Sequence, residues 1–269
     1  MKKNCLWLLS ILLTACAGNS SSPPPSIQAI MEGQHRSAEH QARNTYRHPA
    51  QTLAFFAIEP TMSVVEIWPG DKAWYTEILA PYLKGTGTLY AAHFSEKAST
   101  PYFVNSLQKF KQKMAATPDL YSGVITTTLQ PPRYLDIAPD NSVDRVLTFR
   151  NVHNWMRYSQ ANYVFKAMFQ ALKPGGILGI VEHRNPAGTD QDPFAISGYV
   201  TEAYVIWLAE QVGFKLVAKS EINANPKDSH NHLHGVWSLP PTLRGGEDNK
   251  NHFMAIGESD RMTLKFIKP

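Results

Sequence analysis

VDRVLTFRNVHNW, from Val143 to Trp155, and LKPGGILGIVEHR, from Leu172 to Arg184, decide the fold. Each opens on or contains a short strand-like run, Val143 to Phe149 and Ile177 to Val181, and passes at once into polar and aromatic residues. A strand buried on both faces that ends at a ligand-binding edge reads in this way. The stretch between them, Gln160 to Leu172, reads as a helix. Pro174 ends it, and Gly175 and Gly176 give the backbone freedom to turn sharply into the next strand. Strand, helix and strand in this order form a βαβ unit.

The same alternation extends in both directions. Upstream, Met62 to Ile67 (MSVVEI) is a strand bounded by Pro60 and by Pro69 and Gly70. Ala73 to Leu83 is helical, Thr88 to Phe94 a strand, Pro101 to Ala115 a helix and Val124 to Leu129 a strand. Downstream, Gly198 to Gln211 is a helix, Phe214 to Ile222 a strand, and a long polar loop leads to a last strand at Arg261 to Ile267. Before all of these, Ile27 to Arg43 suits a helix. A second helical stretch follows His48 and Pro49, carrying Leu53, Phe55 and Phe56 on an apolar side, and the two read as a helical cap.

The N-terminus speaks about compartment. Lys2 and Lys3 precede the apolar run Leu6 to Leu13, about half the length that spans a bilayer, which is a signal-peptide core. Leu13, Thr14, Ala15 and Cys16 resemble a bacterial lipobox, so residues 1–15 are expected to be a lipoprotein signal peptide and Cys16 the lipidated residue. Residues 16–26 form a proline-rich tether and 27–269 the folded domain. Export to the bacterial envelope follows, with a lipid anchor on the periplasmic face of the outer membrane as the expected location. Cys5 and Cys16 are the only cysteines, so thiol catalysis and disulfides are excluded from the domain. The formal net charge of +4 comes from interspersed rather than clustered residues, which is no nucleic-acid footprint. No GxSxG elbow follows a strand, which argues against a serine hydrolase.

In an open α/β sheet the ligand lies beyond the carboxyl ends of the strands. The first strand ends in Glu66, Ile67, Trp68, Pro69 and Gly70. The fourth ends in Arg150, Asn151, His153, Asn154 and Trp155, and the fifth in Glu182, His183 and Arg184. His153 is the candidate base, because an imidazole accepts a proton near neutral pH, and Arg150, Glu182 and His183 are its candidate partners. His153 could equally cap the helix that follows it and pack on Trp155. Trp155 and Tyr199 are the candidate substrate contacts, with Tyr199 expected to be the exposed member of the series Tyr199, Tyr204 and Trp207. His230, His232 and His234 read as a solvated loop without an acidic partner, and no metal site is expected.

LKPGG after an aromatic helix, preceded by VDRVLTF, resembles the class I S-adenosylmethionine (SAM) methyltransferases. More narrowly, EIWPG (Glu66 to Gly70), WYTEILAPYL (Trp74 to Leu83), TFRNVHNW (Thr148 to Trp155), VEHR (Val181 to Arg184), SGYVTEAYV (Ser197 to Val205) and SEINANPKD (Ser220 to Asp228) are similar to a family of exported bacterial proteins predicted to be methyltransferases. The resemblance implies a Rossmann-like, doubly wound α/β fold with a seven-stranded, mostly parallel sheet and an antiparallel final strand. It implies SAM as cofactor and a small-molecule acceptor as partner. By position, Glu66, Ile67, Trp68, Pro69, Gly70, Tyr75, His93, Phe94 and Asn151 would form the cofactor site. Trp68 stands where the superfamily has its first glycine, and the second strand ends in Ala92, His93 and Phe94 without the acid that would hold the ribose. The competing expectation is a non-catalytic lipoprotein whose old cofactor pocket takes another ligand or a partner.

Overall fold

The computed structural model describes residues 25–269. The signal peptide, Cys16 and nearly all of the tether therefore lie outside the described residues. None of the described helices is long and apolar enough to cross a membrane.

The cap is α1 (Ile27–Met31), α2 (Ala38–Ala42), α3 (Asn44–Arg47) and α4 (Pro49–Phe55). The single helix expected over Ile27 to Arg43 is broken, for two local reasons. Ser26 and Ser37 each start a separate helix by accepting a backbone N–H with the side-chain hydroxyl. Between them the chain turns Arg36 inward, where its guanidinium bonds to Met31 O and to the Glu77 carboxylate. His48, at a left-handed φ of 39°, separates α3 from α4.

The sheet follows as β1 (Ser63–Ile67), α5 (Thr76–Leu83), β2 (Thr88–His93), α6 (Pro101–Ala116), α7 (Pro118–Tyr121), β3 (Val124–Thr128), β4 (Val143–Phe149), α8 (Val152–Arg157), α9 (Ala161–Ala171), β5 (Leu172–His183), α10 (Glu202–Glu210) and β6 (Lys215–Ser220). The long polar loop contains a 3-10 turn (Gly235–Ser238) and α11 (Lys250–Ile256), and it leads to β7 (Arg261–Ile267). It is structured because Asn223, Asp228, Glu258 and Asp260 are buried there, and each buried polar group needs a partner.

The seven strands lie in the order β3-β2-β1-β4-β5-β7-β6. Only β7 runs antiparallel, pairing with β5 on one side and β6 on the other. Two cores cover the two faces, and alternation along each strand divides the side chains between them. Val65 and Ile67 of β1 and Val146 of β4 join Val164, Phe165 and Met168 of α9 on one face. Val64 and Leu147 join Ile78 and Leu79 of α5 and Leu53 and Phe56 of the cap on the other. The cap is seated by Gly179 of β5, where an added Cβ would come within 2.7 Å of the Phe56 ring.

β1 is the first strand in sequence and lies inside the sheet, with β2 to one side and β4 to the other. The chain reverses its winding direction here, so the segments leaving β1 and β4 diverge and open a crevice above the strand ends.

Candidate functional site

The crevice is a cavity of about 650 Å³, large enough for a nucleotide-sized ligand. Its floor is the turn after β1. Trp68, Gly70 and Ala73 have φ values of 47°, 70° and 53°. For Trp68 and Ala73 the left-handed conformation costs roughly 1–3 kcal/mol each and persists only where the surroundings fix it. Here they do: Trp68 N donates to Ala92 O and its Nε1 to Leu129 O at 2.8 Å. Its ring packs on Phe94 and Trp155, with centroids 4.8 and 5.8 Å away. A Cβ on Gly70 would meet nothing within 4 Å, so its positive φ, and not crowding, is what favours glycine there.

The cavity has two unlike halves. Near β2, Phe94, Tyr102 and Phe103 form an aromatic wall with Gln130, and Asp71 is the one carboxylate among the described lining residues. Near the cap, Arg43, Arg47 and Arg150 line it beside Trp74 and Phe149. The Arg47 guanidinium lies over the Trp74 ring at 4.5 Å, a cation–π contact. Glu258 reaches this end from the loop before β7. It accepts from Arg43 Nε at 2.5 Å, Arg47 Nε at 3.3 Å and Arg261 Nη2, and Arg150 Nη1 lies 4.0 Å away. Burial alone would raise the Glu258 carboxyl, but the four guanidiniums hold it well below the usual carboxylate range. Burial, reinforced by Arg261, lowers Arg150 to about 10. Burial and the neighbouring Arg150 push Arg47 well below its ordinary value.

Beside the cavity lies a second polar cluster. The Glu182 carboxylate, wholly buried, accepts from Val152 N at 2.5 Å, His153 N at 3.4 Å, His183 N at 2.8 Å and His153 Nδ1 at 3.0 Å. The α8 N-terminus thus points two backbone donors at this carboxylate. His183 Nδ1 is 2.5 Å from Ser259 Oγ. Burial, then the neighbouring His153, lowers the His183 imidazole well below its ordinary range, so it is neutral. His153, Glu182 and His183 offer ligand atoms within 4.8 Å of one another, a spacing a metal ion could bridge. Both Glu182 oxygens are already turned to N–H donors, the arrangement of a hydrogen-bonded carboxylate.

Of the residues named from sequence, Trp68, Pro69, Gly70, Phe94, Arg150, Asn151 and Asn154 line the cavity. The others lie behind it. Glu66 is 3 % exposed and accepts from Thr76 Oγ1 at 2.7 Å, and burial raises its carboxyl to about 7. Ile67 is in the core. Tyr75 is buried against Phe149, the rings stacked at 3.5 Å. His93 is fully buried, its Nδ1 accepting from Phe94 N, and burial lowers it to about 4. No donor to a ribose therefore comes from the end of β2, and Glu96 beyond it pairs with Lys111 on the surface.

Two substrate assignments are corrected. Trp155 is fully buried and holds α8 against the core, leaving no surface for a ligand. Tyr199 is 1 % exposed, and its hydroxyl donates to the Asp228 carboxylate; Trp207 is the exposed member of that aromatic series. The histidine loop is also corrected. His232 Nε2 is 2.9 Å from Asp228 Oδ1 and His230 Nε2 is 3.3 Å from Asp260 Oδ2, so both have acidic partners.

Sequence reasoning missed Arg43, Arg47, Asp71, Tyr102, Phe103 and Phe149. The spacing of Arg43 and Arg47, four residues apart in a cap placed over the sheet, was the available signal. For Tyr102 and Phe103 it was their position at the start of the helix after β2.

No sequence-family model and no curated protein matches the chain. Solved structures do match it in shape. A SAM-dependent methyltransferase from Aquifex aeolicus superposes with a TM-score of 0.56 at 15% identity, over 85% of this chain and 93% of that one. The cyclase SpnF gives 0.55 at 15% identity, over 88% and 85%. An arsenic(III) SAM methyltransferase from Chlamydomonas reinhardtii gives 0.52 at 15% identity, over 92% and 74%. The chain therefore has the Rossmann-like fold of the class I SAM-dependent methyltransferases. A cyclase in this company shows that the fold alone does not set the chemistry.

Proposed function

We propose that this protein is a SAM-dependent methyltransferase of a small-molecule acceptor, exported and held in the bacterial envelope by lipid on Cys16. The observation that carries the reading is the cavity at the carboxyl ends of β1, β2 and β4, floored by the turn of Trp68 and Gly70. The residues present fit the cofactor: Phe94, Tyr102 and Phe103 offer an aromatic slot for a base, and the Asp71 carboxylate can accept the ribose hydroxyls. Asp71 supplies from the first turn the acid that the end of β2 lacks. When bound, SAM would supply a methyl group on a sulfonium, which needs alignment with the acceptor more than covalent help.

His153 serves this reading as a base placed behind the cavity wall of Asn151 and Asn154, reached from the acceptor through one intervening water. Glu182 fixes Nδ1 as the protonated nitrogen, which leaves Nε2 to take the acceptor's proton. Asn151 and Asn154, on either side of His153, both line the cavity, so the acceptor would lie over the start of α8. A carboxylate that orients an imidazole also stabilises the imidazolium that forms.

The test is calorimetric titration of SAM and S-adenosylhomocysteine into the purified protein and its Asp71→Asn variant. Saturable binding weakened by the substitution supports the reading. Absence of heat and of any thermal shift at millimolar ligand would remove it in favour of a lipoprotein with another ligand.

A further inference from the structure

Glu258 is 2 % exposed and stands against Arg43, Arg47, Arg150 and Arg261. Among the described residues, none of these four arginines has a salt bridge to any other carboxylate. One negative charge thus faces four positive ones, in a region where Arg47 and Arg261 are each 3 % exposed. Around the buried carboxylate, solvent screens these charges only weakly. Two further observations show that the cluster is incomplete. The Arg150 guanidinium forms no hydrogen bond among the described residues, although it lines the cavity, and its backbone sits in the left-handed region at φ 63°. Arg261 Nε is buried without a partner.

SAM would leave the imbalance of charge uncorrected. Its carboxylate is outweighed by its ammonium and sulfonium groups, so the cofactor brings net positive charge to a positive wall. We infer that Arg43, Arg47 and Arg150 hold an oxyanion of phosphate type carried by the methyl acceptor. This inference rests on the methyltransferase reading of the cavity and names the class of its acceptor. Planar guanidiniums present paired N–H donors that match phosphate oxygens, and Arg43 and Arg150 are the two with open faces, 17% and 24% exposed. Because the bound anion would offset the positive wall, acceptor and cofactor should each strengthen the binding of the other, as linkage requires.

Titration of inorganic pyrophosphate into the full-length protein, with and without saturating SAM, tests the assignment, with acetate as the singly charged comparison. Saturable pyrophosphate binding is expected, weakened at least about tenfold by Arg150→Gln and less by Arg150→Lys, which keeps the charge and loses the fork. Arg43→Gln, at a more open site, provides the second variant if Arg150→Gln does not fold. SAM should bind more tightly in the presence of pyrophosphate. Competition between the two would instead assign the arginines to the cofactor's own carboxylate and overturn the proposal, as would binding indifferent to both substitutions. Arginine-dependent pyrophosphate binding in a protein that binds no SAM would keep the oxyanion site and retire the methyl-transfer reading alone.

Discussion

Oε1 of Glu182 lies 3.0 Å from Nδ1 of His153, and the two groups are almost sealed from solvent at the junction of β5 and α8. Three backbone N–H groups converge on the same carboxylate. The carboxylate therefore closes α8 onto β5 and sets the imidazole tautomer at the same time, and substitutions at the two residues should separate these effects.

Glu182→Gln turns an amide NH2 toward N–H donors, and the unmatched buried groups should cost about 2–4 kcal/mol. His153→Asn should leave the fold closer to intact while lowering kcat by roughly 10²-fold or more. Thermal unfolding and a methyl-transfer assay on the same preparations check this. Equal loss of stability in both variants would reduce His153 to a structural role.

Glu66 predicts a pH effect with a definite sign. Its folded value of about 7 lies above the ordinary 4.5. Below pH 4.5 it is protonated in both states, and as pH rises toward 7 the unfolded chain ionises first, so stability falls. The full difference is on the order of 3 kcal/mol. Glu66→Gln should remove that decline. His93, held at about 4 instead of 6.5, acts oppositely, adding stability as pH rises through the same range. The two slopes therefore offset in the native protein, and only the difference between Glu66→Gln and the native unfolding curves reveals the carboxyl.

Trp68→Gly relieves a left-handed backbone but removes the ring from Phe94 and Trp155 and leaves Leu129 O without its donor. The lost burial and hydrogen bond outweigh the strain, so a net loss of about 1–3 kcal/mol is expected. Denaturant midpoints check the sign. A stabilised variant would mean that the ring contributes little.

Asp71→Asn should weaken S-adenosylhomocysteine binding by about tenfold or more, since a charged acceptor contributes about 1.5–3 kcal/mol. Its melting temperature should hardly move, because Asp71 has no hydrogen bond or ion pair among the described residues. Calorimetry paired with thermal melts separates the two effects.

Glu258→Gln leaves four close guanidiniums without a counter-charge and should destabilise the fold by about 3–5 kcal/mol. Sulfate should restore part of the loss at concentrations where equal ionic strength from chloride restores less. Chemical unfolding in the two salts measures the difference.

The order of elements could be read along the chain because each strand carries its own periodicity. The second half of VDRVLTF and all of ILGIV read as strand wherever they are placed, and Pro174, Gly175 and Gly176 turn the chain by local sterics. The turn after β1 was legible for the same reason, since Pro69 and Gly70 act on their own backbone. The depth of a side chain was not. Trp155, Tyr199 and Glu66 carry the same chemistry in a pocket wall as in a core, and only what packs over them decides which they become.

The sequence by itself thus determined the α/β class, the strand ends that form the ligand edge, and the placing of Trp68, Gly70, Arg150 and Asn151 upon it, because these follow from local propensity and the winding of a parallel sheet. Tertiary structure alone decided the charge of the cavity. Arg43 and Arg47 lie more than two hundred residues from Glu258, and Arg150 joins them from a third element. No local pattern encodes a Coulomb interaction that exists only after the cap and the last loop have closed over the sheet.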